Sequence, residues 1–465
     1  MPARPRSESS PPLRRHGPPS TAPEPRGCLN HTCAEGSRTT SVAARRRDRW
    51  SSQWWAGGGG PGGLRRNPSA SLSAGRGRVQ GCTDDEHRRH RIPPPGADGL
   101  TGIRALAAAW VVVEHFRLVL YGLFPSAQEV IGPWVRSGFL GVEIFFVLSG
   151  FIIAYNYADR FATPSWSGYR AFLELRFARI YPVHLFTLLA MLALVLGARI
   201  LGVALSADGG YTPLSFAVNL LNAQTVFGLS AWNGPAWSIS AEFAAYLAFP
   251  LIAIGLVRLR TAASGFGAAA LLVVVGAAAM LAAGALVIDS PSAFLLIWLR
   301  IAFEFTAGCC LFAGWRWLGD RRFGWGWDVT AAVSVLALAV ALASIGVEGT
   351  QPLSTLPVIA LFVLACAGAT GPVGRLLGSR LLLWGGRISY SVYMTHFIVL
   401  MVLGALLPVG RFADAGTGVK LAILVGHYAV VVAVGAACYH LVEEPARKAV
   451  RSRISRRSRG PAVRP

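Results

Sequence analysis

Arg104 and His115 stand eleven residues apart in an apolar stretch that begins after Gly99. At about 100° and 1.5 Å per helical residue, they fall on one helix face, roughly 20° apart and about 16 Å apart along the axis. A neutral imidazole takes the proton that a hydroxyl nucleophile must lose, and a guanidinium near the membrane surface suits an anionic donor. The spacing therefore predicts an acid–base site; the alternative is a helix-packing histidine with an arginine that reaches the interface.

A second apolar stretch contains one acid, Glu143, followed by Ser149 and Gly150. A carboxylate inside a membrane needs a partner, and Glu143 could orient the His115 ring or pair with an arginine. Ser149 and Gly150 could also be small residues that permit close helix packing, which is the interpretation we favour for Ser149.

Two further regions carry charges at the ends of, or within, apolar stretches. Arg176 and Arg179 precede Tyr181 and are candidates for gripping phosphate groups, with ordinary positive-inside charge as the alternative. Arg300 and Glu304 lie one helical turn apart and are expected to neutralise each other as a structural pair.

The remaining polar candidates follow later in the chain. Trp237 and Glu242 open one apolar stretch, and Ser389, Tyr393 and His396 share one helical face. Near the ends of the last stretch, exposure to lipid headgroups is expected for four residues: His427, His440, Glu443 and Glu444.

The composition excludes an ordinary water-soluble enzyme. Of 465 residues, 53% are hydrophobic and 14% charged, whereas soluble domains have about 25% charged residues. The net charge of +21 lies in tails and short loops, so we expect no nucleic-acid partner. Residues 1–97 are rich in Arg, Pro, Gly and Ser and are predicted to be disordered, unless translation starts near Val79.

Hydropathy predicts an all-α, polytopic plasma-membrane protein with ten spans. Arginines in alternate connections place both termini in the cytoplasm and make 201–236 the longest outside loop. The predicted membrane domain covers 98–445, followed by a basic tail, 446–465, against anionic lipid. The predicted spans are 101–121, 138–156, 177–200, 237–256, 267–288, 293–315, 328–346, 354–371, 389–408 and 419–442.

The seven cysteines show no spacing typical of disulfide frameworks or zinc sites. Cys28, His31 and Cys33 form only half of a possible metal cluster. The sequence therefore predicts no metal site.

Several of these motifs, in this order, resemble the acyltransferase 3 family of integral-membrane O-acyltransferases, over about residues 98–447. The resemblance implies ten helices, a cytoplasmic acyl-CoA donor, no tightly bound cofactor, and acyl transfer to a hydroxyl of a sugar, glycolipid or glycosylated small molecule. The motifs are Arg104 with His115, Phe145-Phe146-Val147-Leu148-Ser149-Gly150-Phe151, Arg179-Ile180-Tyr181-Pro182, Trp237 through Glu242 to Pro250, Arg300 through Glu304 to Gly308, and Ser389-Tyr390-Ser391-Val392-Tyr393 to His396.

The resemblance also implies roles. His115 would be the general base, Glu143, which replaces a common aspartate, would hold its ring, and Arg104, Arg176 and Arg179 would hold CoA. A covalent acyl intermediate on His115 or Ser149 stays open, and so does a transporter, which would also show ten spans and intramembrane charges. Expected substrate contacts are Ser149, Tyr181, Trp237, Glu242, Ser389, Tyr393 and His396.

Overall fold

The structure, a computed structural model, describes residues 97–161, 163, 165–203, 210–286, 292–322, 324–345 and 355–458. Within these ranges the chain is almost entirely helical and forms no strand. The predicted disordered segment up to residue 96, including the alternative start and the Cys28 cluster, lies outside the described residues. The end of the basic tail, 459–465, lies outside them as well.

Fifteen α-helices are described, numbered here in chain order. They are α1 (Ala97–His115), α2 (Arg117–Leu123), α3 (Ser126–Arg136), α4 (Leu140–Tyr157), α5 (Trp166–Ile200), α6 (Pro213–Leu220), α7 (Ala236–Leu256), α8 (Ala262–Leu286), α9 (Ser292–Trp315), α10 (Trp325–Ile345), α11 (Leu356–Gly368), α12 (Pro372–Leu377), α13 (Arg380–Leu406), α14 (Thr417–Cys438) and α15 (Glu444–Ser458). A π-helical turn, Tyr439–Glu443, joins α14 to α15.

The lengths and apolar character of the helices confirm a polytopic membrane protein. In the described ranges, eight helical segments are long and apolar enough to cross a membrane, and the bent pair α1–α2 makes a ninth. The predicted span 354–371 corresponds to α11, which is apolar but has only 13 residues. Helices suit this environment because each backbone amide finds its partner within the same segment.

Two helices begin earlier than hydropathy predicts. Helix α5 begins at Trp166, where the Ser165 hydroxyl caps the Gly168 amide, although the predicted span began at residue 177. Helix α13 begins at Arg380 after a Ser379 cap, although its predicted span began at residue 389. Hydropathy detects the apolar part of a helix, whereas the caps set its true start.

The first predicted span, 101–121, is broken. Helix α1 ends at His115, and α2 continues after Phe116 with a bend of 58°. Phe116 is fully buried against the Tyr428 ring, with the two centroids 5.7 Å apart. The break places His115 at a helix end, close to side chains of the following turn.

Helices α4 and α9 touch through glycines. A methyl group on Gly150 would overlap the Phe305 carbonyl oxygen, and one on Gly308 would overlap the Val147 carbonyl oxygen. The expected small-residue packing is therefore confirmed for Gly150. Ser149 instead makes a hydrogen bond, described below.

We predict that Gly150→Ala separates α4 from α9 and lowers the free energy of unfolding by about 1–3 kcal/mol, because this contact is already closely packed. The measurement is thermal unfolding in detergent. Gly426→Ala is the matched control, since a methyl group there meets nothing within 4 Å. Equal melting temperatures for the two variants would contradict the packing argument.

Candidate active site

Arg104 lies near the middle of α1 and His115 at its C-terminal end, in two different polar regions. Arg104 lines a cavity between the helices, whereas His115 is not among the described residues that line it. The empty space of this cavity, including the solvent at its open mouth, is about 790 Å³. Its polar lining residues are Arg104, Ser149, Arg176, Arg179, Ser238, Glu242, Tyr246, Tyr390 and Tyr393.

Three arginines make one part of this cavity cationic. The Arg176 guanidinium is buried, donates to the Tyr157 hydroxyl at 3.0 Å and lies over the Tyr157 ring. Arg179 lies over the Tyr390 ring and forms an ion pair with Glu443. Arg104 makes no hydrogen bond or ion pair with any described residue. Such a guanidinium in a membrane-buried cavity favours an anionic ligand.

The cavity lining also contains a carboxylate with two hydroxyl donors. Ser149 Oγ and the Tyr246 hydroxyl each donate to Glu242 Oε1 at 2.5 Å. Glu242 also attracts the Arg104 guanidinium electrostatically. Helices α4 and α7 are thus joined inside the cavity by a polar contact between Ser149 and Glu242.

Tyr393 bounds the cavity on the side of the histidines. Its hydroxyl hydrogen-bonds the Ser238 hydroxyl at 2.7 Å, and its ring centroid lies 5.9 Å from that of His396, one turn further along α13. The His396 ring in turn meets the His115 ring edge-on, with centroids 4.8 Å apart. Successive contacts therefore lead from the cavity to Tyr393, from Tyr393 to His396 and from His396 to His115.

His115 is held through Nδ1. This nitrogen lies 2.9 Å from the Val111 carbonyl oxygen and 2.9 Å from Glu114 Oε2. Both partners are acceptors, so Nδ1 carries the proton in the neutral ring and Nε2 keeps its lone pair. The other oxygen of Glu114 accepts from Arg117 at 2.5 Å. Such an imidazole is arranged to accept a proton at Nε2.

His396 has a similar arrangement in a fully buried position. Its Nδ1 lies 2.6 Å from the Tyr393 carbonyl oxygen, so its Nε2 also carries the lone pair. That Nε2 has no hydrogen-bond partner among the described residues. Two imidazoles with available acceptor nitrogens thus lie side by side, one on α1 and one on α13.

The prediction that Glu143 orients His115 is wrong. Glu143 is 1% exposed and accepts two hydrogen bonds from Arg300, at 2.5 and 3.2 Å. The Arg300 guanidinium also lies over the Trp237 ring, 4.9 Å from its centroid. The predicted ion pair between Arg300 and Glu304 is likewise not formed, because Arg300 reaches across to α4 rather than along its own helix. Glu304 is buried nearby.

Three predicted substrate contacts lie away from the cavity lining. The Tyr181 hydroxyl donates to the Leu220 carbonyl oxygen of α6, and Ser389 donates to Gly386 on its own helix. Trp237 packs against Arg300 and Phe146. Ser149, Glu242 and Tyr393 do line the cavity, and His396 lies behind Tyr393.

Two functional candidates were missed in the sequence. Glu114 directly precedes His115 in the sequence, and this adjacency could have indicated that Glu114 contacts the His115 ring. Glu443 was expected to face headgroups, but it is 1% exposed and accepts from Arg179, Arg447 and Ser391. The sequence offered no equivalent signal for Glu443, because its partners Arg179 and Ser391 lie 264 and 52 residues away in the chain.

Comparison with known proteins decides the family. The sequence model described as the acyltransferase domain of the acyltransferase 3 family matches residues 98–440, almost three quarters of the chain. The chain belongs to the acyltransferase 3 family. It is an enzyme of the acyltransferase class, and the cavity with Arg104 lies within the matched region.

Three curated relatives illustrate the range of this acyltransferase 3 family. The chain is 27% identical to "Acyltransferase MdmB" of Streptomyces mycarofaciens, covering 74% of the chain and 90% of that protein. It is 24% identical to "Putative peptidoglycan O-acetyltransferase YrhL" of Bacillus subtilis, covering 70% of the chain but 51% of that protein. It is 30% identical to "Protein 2 in picA locus" of Rhizobium radiobacter, and this match covers 32% of the chain and 78% of that protein. No solved structure matches the chain.

We predict that the Glu143–Arg300 pair of this acyltransferase 3 protein is structural. Glu143→Gln should lower the free energy of unfolding by about 3–5 kcal/mol, because it leaves a buried guanidinium unpaired. The double variant Glu143→Leu with Arg300→Met should recover most of this loss in thermal unfolding. Lys448→Ala, which breaks an exposed pair with Glu444, is the control. A double variant no more stable than Glu143→Gln would contradict a purely structural role.

Proposed function

We propose that the protein transfers an acyl group from acyl-CoA to a hydroxyl of a sugar or glycosylated acceptor, at the cell membrane. The observation that carries this proposal is the cationic cavity, in which Arg104 has no hydrogen-bond or ion-pair partner among the described residues and which Arg176 and Arg179 also line. The printed names of the relatives, an acyltransferase and a putative peptidoglycan O-acetyltransferase, support O-acyl transfer.

In this proposal the phosphates of CoA bind Arg104, Arg176 and Arg179. Guanidinium groups suit phosphates because they offer paired donors and keep their charge. Arg176 and Arg179 are each braced by an aromatic ring, Tyr157 and Tyr390, which fixes the direction of their donors. CoA is a substrate here and is not retained after the acyl group leaves.

His115 acts as the general base. Its Nε2 takes the proton of the acceptor hydroxyl, and the oxygen attacks the thioester carbonyl. Glu114, rather than Glu143, steadies the ring through Nδ1 and stabilises the imidazolium that forms. The proton then passes to the departing thiolate. The acceptor thereby gains an ester and CoA leaves as a thiol.

The thioester must pass Tyr393 to reach His115. About 16 Å separates Arg104 from His115 along α1, and a flexible pantetheine arm suits such a distance. The hydroxyls of Ser149 and Tyr393 lie along this route and are proposed to contact the arm or the acyl group. Glu242 holds Ser149 in place.

We predict that His115→Gln lowers acyl transfer about 100-fold or more, because the base is lost while the size of the side chain is largely kept. Membranes are incubated with labelled acetyl-CoA, and released CoA and labelled glycolipid are measured. His440→Gln, on the exposed face of the π-helical turn, is the control. If His115→Gln transfers the acyl group as fast as wild type, His115 is not the general base.

The same assay tests the function as a whole. An enzyme releases CoA in proportion to the acylated product, whereas a transporter moves its cargo without releasing CoA. Mass spectrometry of glycolipids and secreted metabolites from a deletion strain then identifies the acceptor by its lost acyl mass. A strain with an unchanged profile, together with membranes that release no CoA, would contradict the proposal.

We predict that Arg104→Gln raises the KM for acetyl-CoA by about tenfold, because one charge-assisted phosphate contact disappears. Initial rates at varied acetyl-CoA give KM and kcat separately. Arg411→Gln removes an exposed cation elsewhere and serves as the control. An unchanged KM in Arg104→Gln would place the donor phosphates away from this cavity.

A further inference from the structure

The turn that follows α14 carries a buried acid next to the cationic cavity. Tyr439–Glu443 forms a π-helical turn, which widens the helix by one residue per turn and often marks a functional site. The family match ends at residue 440, so Glu443 and Arg447 lie outside it. Both were expected to lie outside any binding site.

Glu443 joins three elements. One carboxylate oxygen accepts from Arg179 of α5 and from Arg447 of α15, the latter at 3.2 Å. The other accepts from Ser391 of α13 at 2.7 Å. With 1% of its surface exposed, this carboxylate fixes two guanidinium groups relative to each other.

Arg447 lies within electrostatic range of the cavity arginines. Its charge acts on Arg104 and Arg179, and Arg176 acts on Arg447. Its side chain is 13% exposed, unlike that of its neighbour Lys448, which is 68% exposed. Arg447 is not itself among the residues that line the cavity, but it shares a Glu443 oxygen with Arg179, which does line it. The Arg447 guanidinium therefore lies beside the cationic part of the cavity, where several guanidinium groups favour an anionic ligand.

We propose that Arg447 is a fourth ligand of the donor's nucleotide phosphates and that Glu443 is the positioning residue that aims Arg447 and Arg179 at them. The inference rests on the proposed function, because the cavity must first be the CoA site. It makes α15 part of the catalytic unit and not a lipid-binding tail alone.

The remainder of α15 provides matched controls. Arg451 lies one turn beyond Arg447 on the same helix and is exposed. Charge attraction to anionic lipid would depend on both arginines in the same way. A specific phosphate site would depend on Arg447 alone.

The experiment measures binding of CoA and of pantetheine, which lacks the nucleotide phosphates, to the purified full-length protein in detergent. For Arg447→Gln, the Kd for CoA is expected to rise about tenfold, while that for pantetheine stays unchanged. Glu443→Gln should raise the Kd for CoA several-fold with the same selectivity. Arg451→Gln should bind both compounds like wild type.

The outcomes separate this proposal from the one it rests on. If wild type binds no CoA, the proposed donor site fails. If wild type binds CoA and Arg447→Gln binds it equally tightly, or loses CoA and pantetheine alike, only the present proposal fails.

Folding of each variant is checked by its melting temperature without ligand. Should Arg447→Gln not fold, Arg447→Lys replaces it, since it keeps the charge near Glu443 but loses the paired donors of the guanidinium. A severalfold weaker Kd for CoA, with pantetheine binding unchanged, is expected for Arg447→Lys. A Kd for CoA equal to that of wild type would overturn the proposal.

Discussion

The cost of placing a charge among apolar helices governs how this bundle is assembled. An ionised side chain at mid-bilayer costs about 2.5–3.5 kcal/mol on insertion scales, and more if it stays unpaired. The buried pairs Glu143–Arg300 and Glu443–Arg179 meet this cost by joining different helices. Each pair therefore fixes the relative position of two segments that apolar contacts alone would leave free to slide, because lipid tails are as apolar as the helices.

Arg104 departs from this rule. It lies in the same bundle, yet no described residue hydrogen-bonds it or forms an ion pair with it. The carboxylate that attracts it electrostatically, Glu242, already accepts hydrogen bonds from Ser149 and Tyr246. Natural proteins tolerate such a group where a ligand supplies the missing partner. This contrast between the paired Arg300 and the unpartnered Arg104 is the reason for proposing a structural role for the first and a substrate-binding role for the second.

The sequence correctly predicted the features that are set within a single helix. Span positions follow from hydropathy, and the separation of Arg104 from His115 follows from helical geometry. Partners across helices were not predictable: Glu143 and Arg300 are 157 residues apart, and Arg179 and Glu443 are 264 apart. The pairing of Arg300 with Glu304 was inferred from their spacing on one helix, but Arg300 instead pairs with Glu143 on another helix. Glu443 was misjudged for the same reason, since its partners Arg179 and Ser391 lie on two other helices.

The rigid part of the site restricts how donor and base can meet. A methyl group on Gly386 would overlap the Thr101 carbonyl oxygen, so α13 is pressed against α1 near Arg104 and has little room to shift there. Near the middle of α13, Asn233 donates to the Met394 carbonyl oxygen and holds the helix against the connection before α7. With α13 held at these two positions, the proposed passage of an acyl group from the cavity to His115 depends on rotation of side chains. Tyr393 lines the cavity and contacts His396, which contacts His115, so in the proposed mechanism both side chains must rotate about their own bonds.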